Sequence, residues 1–137
     1  MLTAREIMTP NAECIGENDN LMEAAQKLRD LDVGSMPICG EDNRLKGMIT
    51  DRDIAIGCVA AGKDPSKTRA GDFGGEKPVT IGADDSIDEA IKTMEEHQVR
   101  RLPVIDGHDL IGIVAQADIA RNLPEDKAGE LVKLVSW

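Results

Sequence analysis

The chain has 137 residues and a formal net charge of −10, from 16 Lys or Arg against 26 Asp or Glu. This acidic balance excludes a non-specific nucleic-acid binder and a protein that docks on an anionic membrane, because both need basic surfaces. Aromatic residues are 1% of the chain, which argues against recognition of bases by stacking, and the 41% of hydrophobic residues is typical of a globular protein. No apolar run approaches the length of a membrane span, about 20 residues, and the N-terminus has no signal-peptide core. We therefore expect a cytoplasmic protein.

The sequence repeats itself. At a shift of 66 residues Gly16 falls on Gly82, and the segment 36–38 falls on 102–104 with its proline in the same place. After one residue is lost in a turn, the shift becomes 65, and Asp53 falls on Asp118. A doubled unit of this kind predicts two copies of one small fold.

The first copy predicts the order β-α-β-β-α. Apolar side chains follow helical spacing from Leu21 onward. Asn20 lies three residues before Glu23, the arrangement that caps a helix at its N-terminus. The predicted strands are 12–15, 36–39 and 45–49, and the last helix begins near Asp51.

The second copy predicts the same order. Ser86 lies three residues before Glu89 and is placed to cap a helix that begins at Ile87. Two apolar segments joined by a short polar turn then predict a hairpin. The predicted strands are 79–81, 102–105 and 110–114, and the last helix begins near Gln116.

The repeat also sets the predicted boundaries. The first copy covers 1–62, a linker covers 63–69 and the second copy covers 70–122. In the tail, 123–137, a helix after Pro124 is predicted to carry a partial apolar stripe. A partner subunit and the body of the chain itself are both candidates to cover that stripe.

The stretch 47–53 reads Gly-Met-Ile-Thr-Asp-Arg-Asp and leads from a strand into a helix. One interpretation is structural: Thr50 and Asp53 form a capping box. The other is functional, because a helix start offers free N–H groups to a phosphate and a carboxylate there accepts ribose hydroxyls. The spacing is compatible with both.

The ordered and doubled set of x-Pro-h-h and Gly-h-h-Thr-x-x-Asp motifs (h, apolar) resembles the cystathionine-β-synthase (CBS) domain. Two copies in tandem resemble a Bateman module, and the wording is most similar to stand-alone actinobacterial pairs. The resemblance implies an α/β (α+β) fold in which the two domains pack sheet to sheet with pseudo-twofold symmetry. It also implies inter-domain clefts that often bind an adenine nucleotide such as AMP, ADP or ATP.

Carried onto this chain, the resemblance assigns site residues in the first copy. Thr50 and Asp53 would hold the phosphate and the ribose of a nucleotide. Cys14 and Ile15 would lie near the base, and Pro37 would line the wall of the cleft.

The second copy departs from the motif. Ala115 stands where threonine is expected, so the hydroxyl is missing, whereas Asp118 keeps the carboxylate. The resemblance therefore predicts at most one complete site. Arg100 and Arg101 directly precede the second x-Pro strand. Two interpretations are open: one of the arginines faces the phosphate of a ligand, or both form ion pairs with surface acids.

Catalytic and metal motifs are missing from the sequence. It contains no Walker loop, no nucleophile elbow and no C-x-x-C pair. His97 is predicted near a helix end and His108 in a polar turn, so we predict no metal and no enzyme activity.

The three cysteines have different settings. Cys58 has helical apolar neighbours and is predicted to be a core residue. Cys14 and Cys39 fall on predicted strands of the first copy, and their thiols are close enough to bridge if those strands are neighbours. A reducing compartment favours free thiols, so both states stay open.

The main hypothesis is a non-enzymatic sensor that binds an adenine nucleotide and acts through a homodimer or through an unknown effector protein. The alternative is a scaffold or stress-response interaction protein that holds no ligand. Neither nucleic acid nor a membrane is expected as a partner.

Overall fold

The computed structural model describes residues 2–73 and 78–122. They form two sheets with helices and repeat the order β-α-β-β-α, which confirms the predicted fold class. The predicted tail helix lies outside the described residues. In chain order the elements are α1 (Ala4–Ile7), β1 (Thr9–Pro10), β2 (Ile15–Gly16), α2 (Leu21–Leu31), β3 (Ser35–Cys39), β4 (Leu45–Thr50), a π-helix (Asp53–Val59), a 3-10 helix (Ala70–Phe73), β5 (Ile81–Gly82), α3 (Ile87–His97), β6 (Arg101–Asp106), β7 (Asp109–Ala115) and α4 (Gln116–Ala120).

Each sheet is built around its x-Pro strand. β3 pairs in parallel with β2 and antiparallel with β4, and β6 pairs in the same way with β5 and β7. The registers also correspond, since Ile15 lies opposite Ile38 and Ile81 lies opposite Val104. The second sheet gains a fourth strand because β1 pairs antiparallel with β7. The sequence did not predict β1 or α1.

The helices α2 and α3 begin at the predicted caps. Asn20 Oδ1 accepts a hydrogen bond from the N–H of Glu23 at 2.9 Å, and Ser86 Oγ accepts one from Glu89 at 3.2 Å. Each helix buries one apolar side, so helical spacing in the sequence becomes a packed face. The buried residues are Leu21, Ala24 and Leu28 in α2, and Ile87, Ala90 and Met94 in α3.

The helix after β4 is wider than the sequence pattern predicts. Residues 51 and 52 are α-helical and Asp53–Val59 continue as a π-helix. The N–H of Ala60 donates to the carbonyl of Ala55 at 2.9 Å, five residues back. Apolar spacing does not distinguish this hydrogen-bond pattern from an α-helix.

The linker packs on the first copy and closes the start of α2. The N–H of Leu21 donates to the carbonyls of Pro65 and Thr68, at 3.0 and 2.9 Å. The N–H of Ala70 donates to the carbonyl of Asp19 at 2.8 Å. The segment that leads into the second copy in sequence therefore completes the first copy in space.

The N-terminal segment does the reverse. The N–H of Ile87 donates to the carbonyl of Leu2 at 3.3 Å, and the N–H of Ala4 donates to the carbonyl of Asp85 at 2.8 Å. These bonds repeat the linker's bonds to α2 at a shift of 66 residues. Each copy is thus completed by the segment that precedes the other copy.

This exchange of segments, in which residues 2–12 complete the second copy and the linker completes the first, determines how the chain divides into compact units. The segment Glu13–Pro78 is one unit, and the two segments flanking it together form the other. The predicted boundaries 1–62 and 70–122 follow the sequence repeat, whereas the units follow packing. Each unit has its own cluster of buried apolar residues.

A disulfide joins Cys14 to Cys39 in the unit Glu13–Pro78, called the first unit below, with 5.9 Å between their Cα atoms. The parallel pairing of β2 and β3 brings the two residues together. Cys58 is a free and buried thiol, as predicted. Within the described residues, no helix is long and apolar enough to cross a membrane.

Candidate functional site

Thr50 and Asp53 lie in contact at the end of β4. The N–H of Asp53 donates to Thr50 Oγ1 and the N–H of Thr50 donates to Asp53 Oδ2, each at 3.0 Å. These two bonds are the capping box of the structural interpretation. Among the described residues, none donates to Asp53 Oδ1 and none accepts from the Thr50 hydroxyl. The half-buried pair therefore keeps one carboxylate oxygen and one hydroxyl proton available.

Of the other predicted first-copy residues, Ile15 and Pro37 lie on the same sheet, and Cys14 directly precedes β2. Thr50 is opposite Ser35 on β3, while Ile15 is opposite Ile38 on the other edge of that strand. Strand spacings of about 4.8 Å and a rise of about 3.3 Å per residue place Ile15 and Thr50 roughly 14 Å apart. Pro37 lies between them on β3. An extended mononucleotide spans such a distance, whereas a phosphate or a ribose alone does not.

A cation that the sequence analysis missed lies beside the first of these strands. Lys27 on α2 donates from Nζ to the carbonyl of Cys14 at 2.9 Å, in a half-buried position. Cys14 itself is held in the disulfide. The contact depends on how α2 packs on the sheet, so no local spacing in the sequence signals it.

The corresponding position in the second copy is occupied differently. Asp118 Oδ2 accepts from the N–H of Ala115 at 2.8 Å, as Asp53 does in the first copy. Its Oδ1 accepts a hydrogen bond from the guanidinium of Arg121, and the two groups form an ion pair. Asp118 is 5% exposed. Both carboxylate oxygens are therefore engaged, and Ala115 supplies no hydroxyl.

Arg100 and Arg101 lie beside this second position. Arg101 opens β6 directly opposite Ala115, and the carbonyl of Arg100 accepts from the N–H of Gln116 at 2.8 Å. Both arginines are exposed. The structure thus groups these arginines with Asp118 in one unit, and the five first-copy residues in the other.

The protein-family model described as "CBS domain" matches residues 4–57 and 70–125, one match for each copy of the repeat. The chain belongs to the CBS domain family. CBS-domain proteins of this type are regulatory modules and not enzymes. The first match begins within the N-terminal segment that completes the second copy, and the linker 63–69 lies outside both matches.

Relatives of similar length share the tandem arrangement. Hypoxic response protein 1 of Mycobacterium tuberculosis is 50% identical over 135 residues, covering 98% of this chain and 94% of the relative. The CBS domain-containing protein YhcV of Bacillus subtilis is 34% identical over 137 residues, covering 99% and 96%. The resemblance to stand-alone CBS pairs of the mycobacterial hypoxic response type is thereby confirmed.

Solved structures confirm the fold. Hypoxic Response Protein I, crystallised with two coordinated zinc ions, has a TM-score of 0.84 and 52% identity, covering 90% of this chain and 100% of that one. CBSX2 in complex with AMP has a TM-score of 0.77 and covers 93% and 99%, but at 22% identity it shows only the shared fold.

The zinc-bearing relative contradicts the prediction that no metal is involved. His97 and His108 are predicted in different settings, and the sequence pattern shows no further ligands that converge with them. Within residues 2–73 and 78–122, no three His, Cys, Asp or Glu side chains are grouped so that they could hold an ion. Because zinc sites take three or four protein ligands, these residues of a single chain do not fit the metal.

Proposed function

We propose that this CBS pair is a sensor that binds one adenine nucleotide per chain at Thr50 and Asp53. The observation that carries the proposal is Asp53 Oδ1, which accepts from no described residue, beside a Thr50 hydroxyl whose proton has no acceptor among those residues. A carboxylate oxygen accepts hydrogen bonds from ribose hydroxyls, and a threonine hydroxyl donates to a phosphate oxygen. CBSX2, which shares the fold, is described in complex with AMP, and this supports the class of ligand.

The charge of the chain favours AMP over ATP. A net charge of −10 repels a polyanion, and physiological salt screens that repulsion only beyond about 8 Å. AMP carries fewer negative charges than ATP and meets less of this repulsion. We expect affinity to fall in the order AMP, ADP, ATP.

The test is isothermal titration of the full chain with each nucleotide, in EDTA so that no metal contributes. The informative variant is Asp53→Asn. Its side-chain oxygen still accepts from the N–H of Thr50, so the cap is kept, but its NH₂ group replaces the free oxygen. We expect AMP affinity to fall at least tenfold.

Glu41→Gln is the matched control, because it removes one negative charge from an exposed turn of the same unit. We expect this variant to bind AMP like the unmodified chain. Equal affinity for AMP in Asp53→Asn and the unmodified chain would rule out this site. Absence of any binding at millimolar nucleotide would leave the capping box as the role of Thr50 and Asp53.

That second outcome favours the alternative function, a ligand-free interaction protein. Exposed apolar side chains on the first unit support it, since Ile56 is 55% exposed and Val59 58% exposed. Isolated exposed apolar residues are ordinary, but Leu31, 41% exposed, and Met22, 43% exposed, belong to the same compact unit as these two.

We further propose that the sensor acts as a homodimer, as the family resemblance implies. Binding would then act by favouring one arrangement of the assembled chains over another. Light scattering coupled to size exclusion measures the mass directly. A monomeric mass at micromolar chain concentration, with and without AMP, would contradict the dimer.

A further inference from the structure

We infer that Arg121 closes the second copy to nucleotides and so limits the chain to one ligand. The inference rests on the proposed function, because it concerns the same motif and the same class of ligand. It attributes the lack of nucleotide binding in the second copy to an ion pair as well as to the missing threonine hydroxyl.

The closure is visible in the carboxylate of Asp118. One oxygen accepts a hydrogen bond from the N–H of Ala115 at 2.8 Å, and the other accepts one from the guanidinium of Arg121. The side chain of Asp118 is 6% exposed and that of Arg121 is 68% exposed, so a buried carboxylate is paired with an arginine that reaches the solvent. A ribose hydroxyl would have to displace a guanidinium–carboxylate bond, in which both partners are charged, with a weaker bond in which only the acceptor is charged.

The first copy is the internal control. At the shift of 65 residues, Arg121 corresponds to Ile56, which is also three residues after its aspartate. Isoleucine has no donor, and Asp53 Oδ1 accepts no hydrogen bond from any described residue. In both copies the aspartate accepts from the N–H three residues earlier. The copies differ in the threonine hydroxyl, which only the first has, and in the other carboxylate oxygen, which is taken in the second.

The spacing explains why an arginine at this position closes the carboxylate. Residues three apart lie on the same side of a helix, and aspartate with arginine at this spacing forms an ion pair. Asp118 belongs to α4 and Arg121 is the C-cap of that helix. The pair therefore forms within one short segment and needs no contribution from elsewhere in the chain.

The experiment opens the second copy by giving it the residues of the first. Titration with AMP compares the unmodified chain, Ala115→Thr, and the double variant Ala115→Thr with Arg121→Ile. We expect one, one and two AMP per chain. Addition of Asp118→Asn to the double variant should return the value to one. Two AMP per chain in Ala115→Thr alone, or one in the double variant, would overturn the inference.

The reciprocal experiment closes the first copy. Ile56 is exposed, so substitution there is compatible with folding. Ile56→Arg places a guanidinium three residues after Asp53, and we expect AMP affinity to fall at least tenfold. Ile56→Gln removes the same apolar surface without adding a charge and should bind normally. Equal affinity in the two variants, whether both high or both low, overturns the inference.

Failure of the proposed function gives a different pattern. If the unmodified chain binds no AMP, the nucleotide site of the first copy is refuted, and the double variant then tests Arg121 by itself. One AMP per chain in that variant supports closure by Arg121, and none overturns it. Thermal melts and light scattering on every variant show that the folded dimer or monomer is the same species throughout.

Discussion

Aspartates hold the turns from strand to helix in both copies. Asp19 and Asp85 each accept from a glycine N–H three residues earlier, at 2.9 and 2.8 Å, and Asp53 and Asp118 repeat this geometry at the later helix. A side-chain acceptor at such a turn satisfies an N–H that would otherwise lack a partner. The same carboxylates are the groups that a ribose would use, so stability and ligand binding draw on the same residues.

Asp64, in a turn of the linker, shows how a carboxylate that accepts local hydrogen bonds responds to pH. Hydrogen bonds from the side chain and then the backbone N–H of Ser66 lower the pKa of Asp64 below its ordinary value. A depressed folded pKa stabilises the turn at pH above the unfolded value of about 3.9, and this contribution is lost as the pH falls through the folded pKa. We expect Ser66→Ala to raise the pKa of Asp64 toward its ordinary value in an NMR titration. An unchanged pKa would contradict the assignment.

The sequence predicted the local capping contacts, but the local ion pair of Asp118 with Arg121 and the distant contact of Lys27 with Cys14 were missed. The capping box of Thr50 and Asp53 follows from spacing alone. The pair of Asp118 with Arg121 follows from spacing too, and a search for i, i+3 charge pairs would have found it. Lys27 reaches Cys14 only after α2 has packed on the sheet, so no pattern along the chain reveals that contact.

At the scale of secondary structure, the disulfide fastens β2 to β3 around α2. It joins residues 25 apart in sequence. In the chain-entropy account a loop of this length is worth about 3.5 kcal/mol of folding free energy. We expect dithiothreitol to lower the melting temperature by roughly 10 °C.

The control for that measurement is the variant with both Cys14→Ser and Cys39→Ser. It should melt at the lower temperature with or without the reductant. The intact protein should also gain the mass of two hydrogens on reduction. A melting temperature that the reductant leaves unchanged, in a protein whose mass shows the bridge reduced, would contradict the stabilising role.

The elements themselves were predictable to different degrees. α2 and α3 have long apolar periodicity and strong caps, so pattern and structure agree. β1 is two residues long and forms because β7 offers it an edge. The partner of Thr9 is Ile113, 104 residues further along the chain, so no local pattern predicts this strand. The π-helix shares its apolar spacing with an α-helix, and backbone hydrogen bonds alone separate the two.

For the whole molecule, the exchanged segments predict which part of the chain responds to a substitution. Ala4 and Ala70 are both fully buried and occupy corresponding positions. Valine at either position overpacks its site by about 1–3 kcal/mol. We expect Ala4→Val to accelerate amide hydrogen exchange in α3, and Ala70→Val to accelerate it in α2.

Mass spectrometry of deuterium uptake separates the two regions. Ala4 is far closer in sequence to α2 than to α3, so a chain without the exchange would show the opposite assignment. Faster uptake in α2 of the Ala4→Val variant would therefore refute the exchange. Equal acceleration in both helices would show that the two units open as one.

The exchange also constrains the order in which the protein is completed during synthesis. Residues 2–12 leave the ribosome long before α3 exists, so this segment waits unsatisfied while the first repeat closes with the linker. A chain with a single repeat and the same leading segment could satisfy its helix start only by trading segments with a second molecule, as in domain swapping. The tandem chain makes that trade within one polypeptide, where no second molecule has to be found.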